Sequence, residues 1–313
     1  MDVLRLTLRQ LQVFAAVATT GSTTAAGMEI ALSQSATSAA VKELERLLSL
    51  PLFDRVGKRL LLNDNGRTLL PRARVLLDGA ADIDRGIRSG AASLERLRIG
   101  ASTTLGSYLL PRLLKSFIGS SPSRAGETWN SKIVIGNTAS ICQAVAGFEL
   151  DIGLIEGPCH HSSLKVHPWL RDQLVIVASP HMSLHDSARR KSGARLPLKI
   201  LRDLVWLLRE PGSGTREATD QLLLPQLRAF PRSIEFASSE AIKHASAEGL
   251  GIACLSRWVV DDLITAGRLR EVATTLRGLS RQCYWVVHRD KQNTVALDRF
   301  IECLGAITSP QAN

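Results

Sequence analysis

The sequence predicts two architectures in one chain: an all-α N-terminal part with one β-hairpin and a long closing helix, then an α/β part. Three observations predict it. Apolar residues recur at helical spacing over the first 50 positions. An alternation of fours and threes then runs from Leu69 to Ile87, and from Leu94 strand-like and helix-like stretches alternate to the end. At 313 residues the chain can hold about two to three compact units.

Thr7 can cap a first helix whose apolar stripe is Leu8, Leu11, Phe14 and Val17/Ala18, with Gly21 as its stop. Ser22 or Thr23 can cap a second, short helix through Ile30. Ala31-Leu32 then form a turn, and Ser33 caps a third helix. On that third helix, SQSATSAAVKELERLL (Ser33 to Leu48), the residues Ala36, Ala40, Leu44 and Leu47 are expected to face a small core. Gln34, Ser38 and Lys42 lie four apart on another face, with the small Ser35 and Ala39 beside them. Gln can pair with an adenine edge, Ser with several base edges and Lys with a phosphate, so this face suits a DNA major groove. An isolated face of this kind is usually just solvated; its flanks decide. Two short helices, a tight turn and a polar-faced third helix make a helix-turn-helix. After Pro51, LFDRVGKRLLLN reads as a hairpin turning at Gly57-Lys58. Arg55, Lys58 and Arg59 then sit at a wing tip, where backbone phosphates would lie. A winged helix-turn-helix to about Asn63 follows.

Leu69, Ala73, Leu76, Ala80, Ile83 and Ile87 are spaced four, three, four, three and four, which is a coiled-coil seam. Asp78, Asp82, Asp84, Arg74 and Arg85 fall off the seam, as expected of a dimer helix. Ser89 to Ser93, all small residues, form a hinge that ends it. Beyond it, strands are expected at 97–101, 133–136, 152–156, 174–178, 205–208, 234–237, 252–255 and 284–287. Helical stretches led by Ser107, Ser140, Gly214, Ser239, Arg257 and Thr294 lie between them. Such alternation predicts open, largely parallel sheets, with ligands outside the carboxyl ends of the strands.

Composition narrows the class. The net charge of +10 favours a polyanionic partner, yet residues 1–90 hold only 12 of the 39 Lys+Arg and 9 of the 29 Asp+Glu. Charge alone therefore supports DNA binding weakly. Cys142, Cys159, Cys254, Cys283 and Cys303 are odd in number and widely spaced, which argues for reduced thiols rather than a disulfide framework. The N-terminus lacks an uninterrupted apolar stretch and a cleavage site, and no apolar run is long enough to span a bilayer. The expected location is the cytoplasm, with no membrane partner.

LRQLQVFAAVATTGSTTAA, ALSQSATSAAVKELE, LPLFDRVGKRLLLNDNGRTLLPRA and RIGASTTLGSYLLP together make the chain resemble the LysR-type transcriptional regulators over essentially its whole length. The resemblance implies three parts: a DNA-binding domain over 1–63, a linker helix and hinge over 64–92, and an effector-binding domain over 93–313 like a periplasmic binding protein. That last domain would have two lobes, about 94–166 with 269–305 and about 167–268. LDIGLIEGPCH, LLREPGSGTRE, SSEAIKHASAEGLGIACLSR and FDRVGKRL further resemble the YeiE and CysL branch, linked to sulfite or sulfur metabolism. The REPGSGTR stretch is shared with CbbR-type regulators of carbon fixation. The implied protein is a homodimer or homotetramer that binds an inverted-repeat site on double-stranded DNA, contacts RNA polymerase and senses a small anion, sulfite first. An effector from carbon metabolism is the alternative; a cytosolic solute-binding protein is a lesser one, opposed by the intact wing and heptads. Three departures stand out: Thr37 at a usually apolar position, GETWNSK (Gly126 to Lys132) before the second strand, and an insertion through Arg189–Lys199.

Within such a two-lobed domain, Ser102-Thr103-Thr104 follow the first strand and open a helix, where free N–H groups and hydroxyls can cradle an anion. A plain helix cap is the ordinary use of such a run. Asn137-Thr138 repeat the arrangement after the second strand, and EPGSGTR (Glu210 to Arg216) repeats it in the other lobe. There Gly214 and Thr215 begin a helix. Arg209 could add charge or form a structural salt bridge, and Glu156 is expected to line the cleft or the interlobe hinge; as an anion ligand it would need to be protonated or to pair with Arg209. Cys159-His160-His161, with His181 and His185 further on, offer at most one half of a zinc-type ligand set. No orienting partner for a Cys/His nucleophile is evident, nor a Walker or dinucleotide motif. No metal, cofactor or catalytic residue is therefore assigned, and the chain is read as not an enzyme.

Overall fold

The computed structural model describes residues 5–57, 59–89, 97–119, 132–183, 195–276 and 278–306. The described chain divides into two compact units. The first comprises residues 1–93 with 146–148 and 290–294, and the second the remainder from 94.

The first unit opens with α1 (Leu8–Thr20), which Thr7 caps in a reciprocal box with Gln10 and Gly21 ends in a left-handed turn. Next come α2 (Thr23–Glu29), capped by Ser22, and α3 (Gln34–Leu48), capped by Ser33. Leu11, Phe14 and Val17 are buried as expected, but Leu8 is 48% exposed. On α3 the buried stripe is Thr37, Val41 and Leu44 rather than the expected Ala36, Ala40, Leu44 and Leu47; Ala36 is exposed. The helix is thus turned by about one residue, or roughly 100°, so that the larger Val41 enters the core. Thr37 can be buried there because its hydroxyl donates to the Ser33 carbonyl at 2.9 Å. It packs on Gly27, where even a Cβ would lie 3.0 Å from the Thr37 hydroxyl and 2.6 Å from Leu32 O.

β1 (Phe53–Val56) and β2 (Arg59–Leu62) form an antiparallel hairpin with Val56 opposite Arg59. α4 (Asp64–Ser89) follows for 26 residues. Ala73 of the heptad seam is buried in the core of this unit, with Leu69 packed beside it. Further along, Leu76 and Ile83 are 53% and 68% exposed. Lys58, residues 90–93 of the hinge, Gly126–Ser131, His185, Arg189–Gly193 and Ala194 lie outside the described residues. So do the side chains of Asp82, Asp84, Arg85, Ile87 and Ser89.

In the second unit, β3 (Ile99–Ser102) runs parallel to β4 (Ile133–Gly136) and β5 (Ile152–Glu156). α5 (Leu110–Gly119), entered through a π-helical turn at Leu105–Leu109, and α6 (Thr138–Ala146) connect them. β6 (Leu164–Ala178) is a single 15-residue strand. Beyond it come α7 (Leu198–Asp203), β7 (Trp206–Arg209), α8 (Gly214–Leu227), β8 (Ser233–Phe236) and α9 (Ser239–Ala247). β9 (Ala253–Ser256), α10 (Arg257–Thr265), β10 (Arg270–Glu271), β11 (Ser280–His288) and α11 (Val295–Ala306) complete the unit.

The large sheet has the order β10-β6-β11-β5-β3-β4, with β9 also on β6, while β7 and β8 pair separately and in parallel. β11 lies antiparallel to both β5 and β6, and β6 antiparallel to β9 and β10. The sheet is therefore mixed, not largely parallel. The two long crossover strands join lobe I, around Ile99, Leu105, Ile152 and Phe300, to lobe II, around Leu174, Trp206, Ile242 and Val260. Residues 164–173 lacked a strand signal because polar side chains and Pro168 alternate through them.

Candidate functional site

On the first unit, Gln34, Ser35 and Lys42 are exposed and Ser38 is half-buried, on a face adjoining the Thr37–Val41–Leu44 stripe. Gln34 Nε2 donates to Thr23 Oγ1 at 3.2 Å, which ties the start of α3 to α2. Arg55 and Arg59 are exposed at the end of the hairpin. These groups offer hydrogen bonds on an open helix face and two cations on an adjoining tip.

In the second unit, Ser102, Thr104, Thr138, Glu156, Gly214 and Thr215 are brought together, and their centre is Glu156 itself. This side chain ends β5 and is fully buried. Its Oε1 accepts from Ser102 Oγ at 2.9 Å, Thr104 N at 2.8 Å and Leu105 N at 3.2 Å. Its Oε2 lies 2.7 Å from Arg281 Nη1 and accepts from Thr215 Oγ1 at 3.2 Å. The helix-start cradle predicted after β3 thus holds a carboxylate of the same chain. Gly214 packs on the same strand end: a Cβ there would lie 1.8 Å from Glu156 O, an oxygen that also accepts from Thr138 Oγ1 at 3.0 Å. This crowding, rather than approach to a ligand, is what requires glycine at 214.

The Glu156–Arg209 pairing that an anion-ligand role for Glu156 would call for does not form. Arg209 binds its neighbour Glu210 through two bonds of 2.7 and 2.9 Å and donates to Ser239 Oγ at 2.8 Å. Arg281 of β11 takes the place beside Glu156, because the crossover strand pairs with the end of β5, Cys283 opposite Glu156. It also reaches Asp172 of β6 through Nε at 2.8 Å and Nη2 at 2.7 Å, and Thr215 Oγ1 and Thr104 Oγ1 at 2.8 and 3.4 Å. Ser256 Oγ donates to Asp172 at 2.7 Å. One guanidinium therefore joins both lobes at the crossover with all of its N–H groups engaged.

Burial works against ionisation of Glu156, but the Arg281 charge and the donors at Ser102, Thr104 and Leu105 outweigh it, and the carboxyl lies below its ordinary range. Burial dominates at Asp172, which is raised despite Arg281 and Ser256. Arg281 is pushed upward by the two carboxylates against its own burial.

Asn137 and Thr103 stand aside from this centre. Asn137 Nδ2 donates to Glu210 Oε1 at 3.2 Å, and Ala139 N–H to Gly212 O at 3.0 Å, so the first turn of α6 is held by the EPGSGTR loop. Thr103 Oγ1 donates to Gly136 O at 3.2 Å. Lys243 is buried against Glu240 and Asp262 of its own lobe.

Sequence reasoning did not find Arg281 and Asp172. Both lie on the crossover strands outside the expected segments, 109 residues apart. The available signal was weak: an arginine two positions before Cys283, at the polar start of a strand whose middle, Tyr284 to Val287, is aromatic and apolar.

Residues 8–67 match the family described as "Bacterial regulatory helix-turn-helix protein, lysR family", and residues 91–308 match the "LysR substrate binding domain". The chain is 45% identical over 301 residues to an uncharacterised helix-turn-helix transcriptional regulator, YeiE, of Escherichia coli K12, covering 96% of this chain and 97% of YeiE. It is 33% identical over 286 residues to the regulator CbbR of Rhodospirillum rubrum, covering 90% and 89%. A full-length OxyR variant of Pseudomonas aeruginosa superposes with a TM-score of 0.74 at 22% identity, covering 97% of this chain and 95% of OxyR, a likeness of fold alone.

Proposed function

The chain belongs to the LysR family of bacterial transcriptional regulators, and we propose that it reads an inverted-repeat promoter site as a dimer of dimers and responds to a small sulfur oxyanion, sulfite first. It is a DNA-binding transcriptional regulator with an effector-binding domain. The parts proposed are 1–63 for DNA binding, 64–92 for the linker and 93–313 for the effector, with lobes of about 94–166 plus 269–305 and about 167–268. Gln34, Ser35 and Ser38 read base edges, while Lys42, Arg55, Lys58 and Arg59 hold phosphates. The exposed Leu76 and Ile83 of the linker meet a second copy of the same helix. A tetramer and contact with RNA polymerase complete the reading, in the cytoplasm.

The observation that carries the effector reading is the Glu156 clasp. A cradle of Ser102, Thr104 and Leu105 that holds a carboxylate has the donors that an oxyanion requires. Asn137 and Thr138 open α6 opposite Gly214 and Thr215, with Arg209 behind. An anion competing there with Glu156 or with the Gly212 carbonyl changes the angle between the lobes. The effector shifts the regulator only by its differential affinity for the two lobe arrangements. The kinship with CbbR favours a second reading, an effector from carbon metabolism. Calorimetry of the full chain against sulfite, sulfate, thiosulfate and phosphoglycolate tests both. Saturable binding of sulfite is expected; binding of phosphoglycolate with none of sulfite would replace the first reading by the second.

A further inference from the structure

The turn between α2 and α3 fixes two side chains as well as two helices. Leu32 N–H donates to Gly27 O at 2.8 Å across the turn, and the helices pack so closely that Gly27 has no room for a Cβ. Arg9 of α1 holds the end of α2, its Nη2 donating to Ile30 O at 2.9 Å. Thr23, the first residue of α2, is thereby set beside Gln34, the first residue of α3, and its Oγ1 accepts from Gln34 Nε2 at 3.2 Å.

On the reading that Gln34 meets a base edge, on which this inference rests, we propose that Thr23 is a positioning residue that assigns Gln34 to adenine and excludes guanine. A glutamine amide carries two N–H donors and one acceptor oxygen. Left to rotate, it serves two purines. It can place Oε1 on N6–H and one N–H on N7 of adenine, or turn both N–H groups toward N7 and O6 of guanine. With one Nε2 proton on Thr23 Oγ1, a single N–H and Oε1 remain. One donor beside one acceptor complements N7 and N6 of adenine. Guanine would set its O6 against Oε1, two acceptors face to face with neither satisfied. Cytosine and thymine each present one hydrogen-bonding group in the major groove and engage only half of the amide.

The neighbouring hydroxyls carry no such assignment. Ser35 Oγ lies 3.0 Å from Ser33 Oγ, and either can be the donor. A serine hydroxyl turns to donate or accept as its partner requires, so it tolerates several edges. Gln34 has its donor and acceptor on separate atoms, and what holds them in place stands on α2. A residue outside the helix that meets the bases thus sets which base is read.

The test selects duplexes from a random pool with the full chain and then titrates single-pair variants of the selected site. Gln34→Ala should flatten the preference at one base pair of each half-site, which marks the pair it reads; the wild type should favour adenine there. Thr23→Val keeps the shape of the side chain and removes the acceptor. It should cut the adenine-over-guanine ratio at that pair by about 2- to 12-fold, the net worth of one hydrogen bond. The other pairs and the salt slope should not change, because no phosphate contact is lost. Thr23→Ser keeps a hydroxyl and should preserve the ratio, and in a Gln34→Ala background Thr23→Val should have no effect at that pair. A wild-type preference for guanine there, or a Thr23→Val loss spread evenly over all pairs, would overturn the proposal. If Gln34→Ala alters no pair, the reading of Gln34 as a base reader falls and takes the assignment with it. If Gln34→Ala alters a pair and Thr23→Val leaves its ratio unchanged, the assignment alone falls.

Discussion

Replacing Glu156 by Gln keeps the shape of the side chain and removes its charge. The amide oxygen can still accept from Ser102, Thr104 N and Leu105 N, all of which converge on Oε1. The amide nitrogen must stand where Oε2 now meets Arg281 at 2.7 Å, so two N–H groups face each other. The Thr215 hydroxyl can turn to accept, but Arg281 has no acceptor to offer. Breaking a buried pair by removing one partner costs about 3–5 kcal/mol, a large part of the roughly 5–15 kcal/mol that holds a domain together. With a urea dependence of about 1–3 kcal/mol per molar, the midpoint should fall by about 1–5 M. Tryptophan fluorescence reads this transition selectively, because the segments of the first unit contain no tryptophan and Trp169, Trp206, Trp258 and Trp285 lie in the second. The pH dependence follows from the lowered Glu156 carboxyl. Its contribution is complete above the ordinary value of 4.5 and is lost only as the pH falls through the depressed one. The gap between variant and wild type should therefore be the same at pH 7 and pH 5. A variant within about 0.5 kcal/mol of wild type, a cost typical of a surface substitution, would refute the argument. So would a gap that already closes at pH 5.

Five further substitutions address the first unit. Ser38→Ala should relax sequence preference, whereas Arg59→Ala should weaken all sequences alike and lower the salt slope of binding by about one; titrations at several salt concentrations separate the two. Leu76→Glu and Ile83→Glu place charge on the uncovered length of α4, and sedimentation should show dissociation toward monomer, with retained dimers counting against the linker interface. Thr37→Val removes a hydroxyl whose acceptor, Ser33 O, also receives the Thr37 N–H, so thermal unfolding should register a loss of about 1 kcal/mol or less.

The helices of the first unit were legible because their caps are local. Thr7, Ser22, Ser33 and Gly21 act within four residues of themselves. Which face of α3 is buried was less legible, since a stripe of Ala36 and Ala40 and a stripe of Thr37 and Val41 fit the same period; tertiary volume chose the larger side chain. In the second unit the parallel strands of each lobe stood out as apolar runs. The crossovers did not, because strands exposed on alternate faces mix Lys165, His167 and Arg171 with Leu164 and Leu170. The clasp was half visible. Hydroxyls and glycines at helix starts marked where an anion could lie, but nothing local to Glu156 indicated that it would be that anion. Its counterion comes from a strand more than 100 positions later, and residue spacing carries no information at that range.

The long return of β11 also shapes how the protein is made. Cys283 pairs with Glu156 and Val286 with Val166, so the sheet of lobe I cannot be completed until almost the whole chain has left the ribosome. The first unit rests largely on near neighbours and can form while the rest is still being synthesised. Until Arg281 emerges, Glu156 has no cation with which to be buried, and premature closure of the half-built domain is penalised. A nascent chain would thus acquire its DNA-reading surface well before its sensor.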